Sequence, residues 1–340
     1  MKRKSQTIFF NNPPSIVCGA AVGGAEEEKG PLGHLFDRIF TDPYLGESSW
    51  ERAESRLQFN AVNILLEKSG VKPNEIDLMF GGDLINQCTS SDYAARDLSI
   101  PLYGIYGACS TIAEGMHLAS MAVAGGFAEK VVAVTSSHFC SSEKQFRYPL
   151  EYGGQRPPTA QWTATASGAV LIAPSGGKCK ITHITTGKIV DMGICDANNM
   201  GAAMAPAAAD TIKAHFEDTG FSPSDYDLIA TDDLGILGKT LLCELLKKEN
   251  IDITPYADDC GCMIYDADSQ DKHCGGSGCG TSASVFAAHL MPMLEQGKIK
   301  KLLFIPTGAL MSPLTCQQGD SIAAVAHAVR IESCSEVKEQ

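Results

Sequence analysis

Apolar residues recur at helical spacing in FNAVNILLEKSGVKPNE (59–75) and again in ADTIKAHFEDTGFSPSD (209–225). Each stretch then reaches a Gly suited to a helix C-cap, followed by a Pro, so each predicts a helix, a stop and a turn. Directly after them come EIDLMFGGDLI (75–85) and DYDLIATDDLG (225–235), in which Asp77 matches Asp227, Leu78 matches Leu228, Asp83 matches Asp233 and Leu84 matches Leu234. A further pair is GACSTIAEGMHLASMAVAGGFAEKVVAVTSS (107–137) and GCGTSASVFAAHLMPMLEQGKIKKLLFIPTG (278–308). Both read as a Gly-rich turn, a helix, a short basic turn and an apolar strand. SGAVLIAP (167–174) echoes IAAVAHAV (322–329).

One unit therefore occurs twice, with Asp77 and Asp227 150 positions apart and Gly107 and Gly278 171 apart. The division falls at 1–175 and 176–340, two halves around one shared pocket. The first half carries an insertion at about 138–162, HFCSSEKQFRYPLEYGGQRPPTAQW, polar, aromatic and rich in Gly and Pro. Such insertions are functional or disordered. Alternating helices and strands predict an α/β architecture. The helices at 111–124 and 281–295 are apolar nearly all round, which marks them as buried. One buried helix per half predicts a layered α-β-α-β-α molecule. The competing reading is a single doubly wound sheet with chance similarity.

Composition narrows the function. The 340 residues carry a formal charge of −13 with no basic block, which argues against nucleic acid and against direct docking on anionic lipid. No apolar run is long enough to span a membrane, and the N-terminal MKRKSQTIFF lacks a signal-peptide core, so a soluble chain without signal peptide or transmembrane helix is expected. In that setting the 13 cysteines read as reduced thiols. Cys260-Gly-Cys262 has the wrong spacing for structural zinc, even with His273, Cys274 and Cys279 nearby. GGSGCG (275–280) lacks the Gly-Lys-Ser/Thr of a phosphate loop. The run Glu26-Glu27-Glu28-Lys29 reads as a solvated loop.

The candidate chemistry lies at Gly107-Ala108-Cys109-Ser110-Thr111, a small-residue turn opening the first buried helix. Free amides and the positive end of the dipole there would favour a thiolate at Cys109, and would equally attract a carboxylate. The plain alternative is a buried Cys packing as a small hydrophobe. A Cys presented this way inside a duplicated α/β chain resembles the thiolase superfamily, nearest its ketoacyl-synthase branch. The resemblance covers about 15–330 and implies a five-layer α-β-α-β-α fold. In that branch the Cys attacks an acyl thioester, and a His and an Asn from the second half stabilise the oxyanion. Here Asp232, in Thr231-Asp232-Asp233-Leu234-Gly235, stands where the His would be. Cys279 (or Gly280, by a one-residue shift), in Gly278-Cys279-Gly280-Thr281-Ser282, replaces the Asn. Loss of one oxyanion donor costs on the order of 3–4 kcal/mol in barrier. Ordinary Claisen condensation is therefore not expected, and His138 and His273 are the nearest remaining histidines.

Within the superfamily, TIFFNNPPSIVCGAAVGGAEEEKGPLG, YGACSTIAEGM, QWTATASGAVLI and GGSGCGTSASVF are similar to a thiolase-like family of sporulation proteins from spore-forming Firmicutes. The resemblance implies a non-enzymatic protein that binds dipicolinic acid (pyridine-2,6-dicarboxylate). It would help move this ligand into the developing spore, at the inner spore membrane of the forespore, through membrane proteins of the same operon. It also implies a homodimer. The ligand-binding set expected from it is Cys109, Ser110, Thr111, Asp232, Cys279, His138, Arg156 and Trp162, with Arg147 as a further candidate. Ser110 and Thr111 would donate, an Arg would clamp a carboxylate and Trp162 would stack on the ring. Calcium accompanying the ligand would reconcile Asp232 with an anion. No catalytic residue, resident metal or cofactor is expected. The alternative is a condensing enzyme or acyltransferase using Cys109.

Overall fold

The computed structural model describes residues 2–147 and 156–334; residues 148–155 of the insertion lie outside the described residues. The first half contributes strands β1 (Ser15–Gly24), β2 (Leu78–Gly82), β3 (Leu102–Gly104), β4 (Val131–Ser137) and β5 (Ala166–Ala173). The second contributes β6 (Cys179–Thr185), β7 (Leu228–Asp232), β8 (Ala257–Asp259), β9 (Lys301–Ala309) and β10 (Ala328–Ser333). The order across the first half is β1-β5-β4-β2-β3, and across the second β6-β10-β9-β7-β8, so each half repeats the other's topology. An antiparallel contact between β1 and β6 joins them, with Ile16 opposite Cys179.

The sequence repeat has a physical basis. Asp77 Oδ2 accepts from the Glu129 and Lys130 amides, at 2.7 and 3.0 Å. Asp227 Oδ2 accepts from the Lys300 and Lys301 amides, at 2.7 and 2.9 Å. The same carboxylate thus pins the start of β4 to β2 and of β9 to β7. Leu78 then lies opposite Val131, and Leu228 opposite Leu302. One difference stands out. β5 is continuous, whereas its counterpart is broken at His327 into Ala324–Ala326 and β10.

The longer helices are α1 (Trp50–Ser69), α2 (Thr89–Leu98), α3 (Thr111–Ala124), α4 (Phe139–Arg147), α5 (Met200–Thr219), α6 (Gly235–Lys248) and α7 (Cys279–Val285). α7 continues through a π-helical turn, Phe286–Leu290, into Met291–Glu295. α3 and α7 touch strands of both halves and form the middle layer. α1 and α2 cover the outer face of the first half, and α5 and α6 that of the second. Phe286 packs on Phe304 with ring centroids 4.9 Å apart, both fully buried. Full burial of a Phe contributes about 1.5–3 kcal/mol, so this contact anchors the largely apolar middle layer on the second-half sheet. The five layers expected from the sequence are present.

α1 and α5 each start nine residues before the apolar stretch that predicted them, and both end at a left-handed Gly, Gly70 at φ +68° and Gly220 at φ +77°. The early turns of α1 were missed because two of its inward positions are polar, Glu54 and Gln58, both fully buried. The solvated-loop reading of 26–29 is corrected: Ala25–Glu28 is a helical turn, and Glu27 is buried. Glu27 accepts from the Tyr265 hydroxyl and from the Thr165 and Gly24 amides. Where described, the insertion is ordered as α4 and a two-residue strand, Trp162–Thr163, paired in parallel with Gly276–Ser277.

Candidate functional site

The first Gly-rich turn sits between the two halves. A Cβ on Gly308 of β9 would lie 2.1 Å from the Gly107 carbonyl oxygen, so β9 can approach the turn only as Gly. Ala108 adopts a left-handed backbone at φ +49°. Cys109 follows and lines an opening of about 500 Å³, counted out to bulk solvent. Leu84, Phe146, Met200 and Met311 supply apolar walls. Among the described residues Tyr106, Ser142, Thr163 and Ser277 supply hydroxyls, Glu143 supplies a carboxylate, and no Lys or Arg lines the opening. α4 forms one wall. It is held by Ser141, whose hydroxyl donates to Glu54 at 2.5 Å, and by Gln145, which accepts from the Asn86 amide at 2.8 Å.

Burial and a neighbouring carboxyl work against the thiolate expected at the turn. The Ser110 and Thr111 amides donate to the Gly107 and Ala108 carbonyls, and those of Ala113 and Glu114 to Ser110. Burial, with Asp233 next in importance, pushes the Cys109 thiol well up from its ordinary value. Asp233 is a residue that sequence reasoning passed over. Its backbone is left-handed, φ +64°, which turns its carboxyl toward Cys109. Its Oδ1 accepts from the Gly278 amide at 2.7 Å. Burial holds the Asp233 carboxyl up at about 7. Its match with Asp83 in the repeat was the available signal.

The predicted residues separate into groups. Cys109 lines the opening, and Cys279 packs behind it with Leu84 and Ala108, fully buried, its thiol 2.9 Å from the Ser136 carbonyl oxygen. Ser110 and Thr111 are fully buried, and their hydroxyls donate inside the turn, to Gly107 at 2.7 Å and to Ala108 at 2.5 Å. The donor roles expected of them are therefore corrected: local hydrogen bonding has taken both. Asp232 is buried below, one oxygen accepting from the Ser282 amide at 3.2 Å and the other without a partner. Burial and the neighbouring Asp233 and Asp259 push its carboxyl well up.

Trp162 and His138 face another hollow, of about 570 Å³, shared with Phe40, Pro43 and Phe139. Successive strand residues point to opposite faces, so Thr163 enters the Cys109 opening and Trp162 does not. Trp162 stacks on Phe139 at 4.0 Å, with Lys272 3.5 Å over its ring. His138 Nε2 bonds to the Pro43 carbonyl at 2.7 Å, and burial pulls its ring down toward the neutral form. Arg156 donates to Asp271 and lies 4.9 Å over Trp162. Arg147 ends α4, and its side chain lies outside the described residues. His273 is engaged by Pro157 and Asp271.

Layer order, the duplicated topology and a Cys on the first central turn define a thiolase-type fold. Solved structures agree. 3-Oxoacyl-[acyl-carrier-protein] synthase III from Aquifex aeolicus VF5 superposes with a TM-score of 0.60 at 14% identity, over 94% of this chain and 99% of that one. A variant of OleA from Xanthomonas campestris does so with a TM-score of 0.61 at 12% identity, over 96% and 99%. The family model for stage V sporulation protein AD matches residues 4–332. Stage V sporulation protein AD of Bacillus subtilis (strain 168) is 45% identical over 327 residues, 96% of both chains. The chain belongs to the stage V sporulation protein AD family.

Proposed function

We propose that this sporulation-family protein binds dipicolinic acid at the Cys109 opening, performs no chemistry on it and serves its uptake into the developing spore. The observation that carries the reading is the company Cys109 keeps. Among the described residues no His lines the opening, the Ser110, Thr111, Ala113 and Glu114 amides are engaged within the turn and helix, and the Asp233 carboxyl stands by the thiol. An oxyanion would find hydroxyls but no His among the described lining residues, and the Asp233 carboxyl would oppose its charge, whereas a flat ring fits between Leu84, Phe146, Met200 and Met311 with the same hydroxyls as donors. The ligand's charge needs neutralising, because no Lys or Arg among the described residues lines the opening. Glu143 is the lining carboxylate for an accompanying calcium, and no group of three ligating side chains occurs among the described residues. Such an ion would ride on the ligand's own carboxylates.

Calorimetry with dipicolinic acid, with and without calcium, tests this: saturable heat in either condition is expected, and silence in both sinks it. Membrane proteins of the operon would complete the uptake path; no helix among the described residues is long and apolar enough to cross a membrane. A homodimer would use the free side of β3, where Tyr103 is 60% exposed. Retention of Cys109 on a ketosynthase-like fold supports a second reading, acyl transfer. Mass spectrometry after incubation with acyl thioesters decides it, an unmodified Cys109 counting against.

A further inference from the structure

Of the eight arginines in the chain, Arg52, Arg56 and Arg96 line a single surface cleft of about 390 Å³, with Glu47, Ser55, Tyr93 and Asp97. The cleft is built from α1, α2 and the loop before α1, and shares no lining residue with the Cys109 opening or the Trp162 hollow. Its charged groups are three positive and two negative, a local excess of positive charge in a chain of −13.

Two of the guanidinium groups are held in place. Arg56 lies 4.5 Å over the Phe59 ring, with its Nε 3.3 Å from Glu47. Arg96 lies 4.7 Å over the Tyr93 ring and 2.8 Å from Asp97. Stacking fixes the plane of each fork, so little side-chain freedom remains to be lost when a ligand arrives. Arg52 differs: among the described residues its guanidinium has no ion pair and no hydrogen bond, although it opens on the same cleft. A forked, permanently charged donor beside two braced ones suits an oxyanion presenting several oxygens, and phosphoryl groups match that geometry bidentately.

We infer that the cleft between α1 and α2 is an anion site that takes a phosphoryl group on Arg52, Arg56 and Arg96. The group comes either from free phosphate or from a phospholipid headgroup. This site does not depend on the dipicolinic acid reading, and its variants leave the Cys109 opening untouched. The test uses the full chain at low ionic strength, titrated with inorganic phosphate by calorimetry and, separately, sedimented with vesicles of phosphatidylglycerol or of phosphatidylcholine. Saturable binding in one arm is expected, weakened at least tenfold in the Arg52→Gln/Arg96→Gln double variant and partly restored in Arg52→Lys/Arg96→Lys. Circular dichroism and thermal unfolding check that the variants fold. Phosphate heat without vesicle capture identifies the free ion; capture by phosphatidylglycerol but not phosphatidylcholine identifies the headgroup. Binding in neither arm, or binding undiminished in the folded double glutamine variant, overturns the inference.

Discussion

Replacing Asp233 by Asn should make Cys109 more reactive. The side chain keeps its shape, so the Gly278 amide still finds an oxygen, while the carboxyl facing the thiol loses its charge. Two unit charges about 4 Å apart interact by about 4 kcal/mol at an effective dielectric near 20, which sets an upper bound. Asp233 titrates at about 7, so it is only partly charged at neutral pH and fully charged above pH 8. Burial, the largest cause of the thiol's reluctance to ionise, is unchanged by the substitution. We therefore expect alkylation of Cys109 to speed up by about ten- to a hundredfold at pH 8–9, and by less at pH 6. The assay is iodoacetamide labelling across that range, with peptide mapping to separate Cys109 from the other thiols and Cys109→Ser as the blank. Equal rates for Asp233→Asn and the parent at every pH would refute the assigned contact. Stability gives a second reading. A carboxyl raised in the folded state favours folding fully below its unfolded value, and that contribution is lost as pH rises through about 7. The parent should thus lose more stability between pH 4 and 8 than the Asn variant does, by on the order of 1.4 kcal/mol for each pH unit by which folding raises the Asp233 carboxyl.

Other expectations concern the scaffold. Asp77→Ala and Asp227→Ala each remove an acceptor for two backbone amides. Each should cost about 1–3 kcal/mol in urea unfolding, and a loss below a few tenths in both would show that the pins are idle. Gly308→Ala would set a Cβ 2.1 Å from the Gly107 oxygen. It should abolish ligand binding or lower the unfolding midpoint by several degrees, and an unaltered protein would contradict the close approach. Burial and the neighbouring Asp83 push the Glu54 carboxyl well up, which favours its neutral form. Glu54→Gln should be tolerated while Glu54→Ala, which strands the Ser136 and Ser141 hydroxyls, costs about 2–3 kcal/mol; equal effects in denaturant titration would argue against a neutral Glu54.

How far the sequence carried depends on which physics fixed each feature. The middle layer was legible because the helices at 111–124 and 281–295 are apolar nearly all round, a pattern that marks buried helices. Asp77 and Asp227 were visible as a repeat, and their role as pins needed the backbone amides of the next strand. Cys109 was found from its turn. The fate of Ser110 and Thr111 was not, since a hydroxyl at a helix start can point outward or bond back into the turn, and here both bond back. Strand alternation puts Trp162 on a separate hollow and Thr163 on the Cys109 opening, a one-step difference that composition does not reveal. In the Asp232-Asp233 pair the choice rested on a single left-handed φ that composition does not announce.

The twofold topology has a further meaning in the two matched aspartates. Asp83 is locked: the Ile85 amide, the Ser91 amide and the Ser91 hydroxyl all donate to it. Asp233, its partner across the duplication, accepts from the Gly278 amide and turns to the thiol. An ancestral half-gene copied and fused would have begun with two equivalent carboxyls. The divergence reads as a division of labour, in which one copy became masonry and the other was freed to tune a pocket. Evolutionary change in this lineage should then fall unevenly on the two halves, sparing the surroundings of Asp83 and exploring those of Asp233.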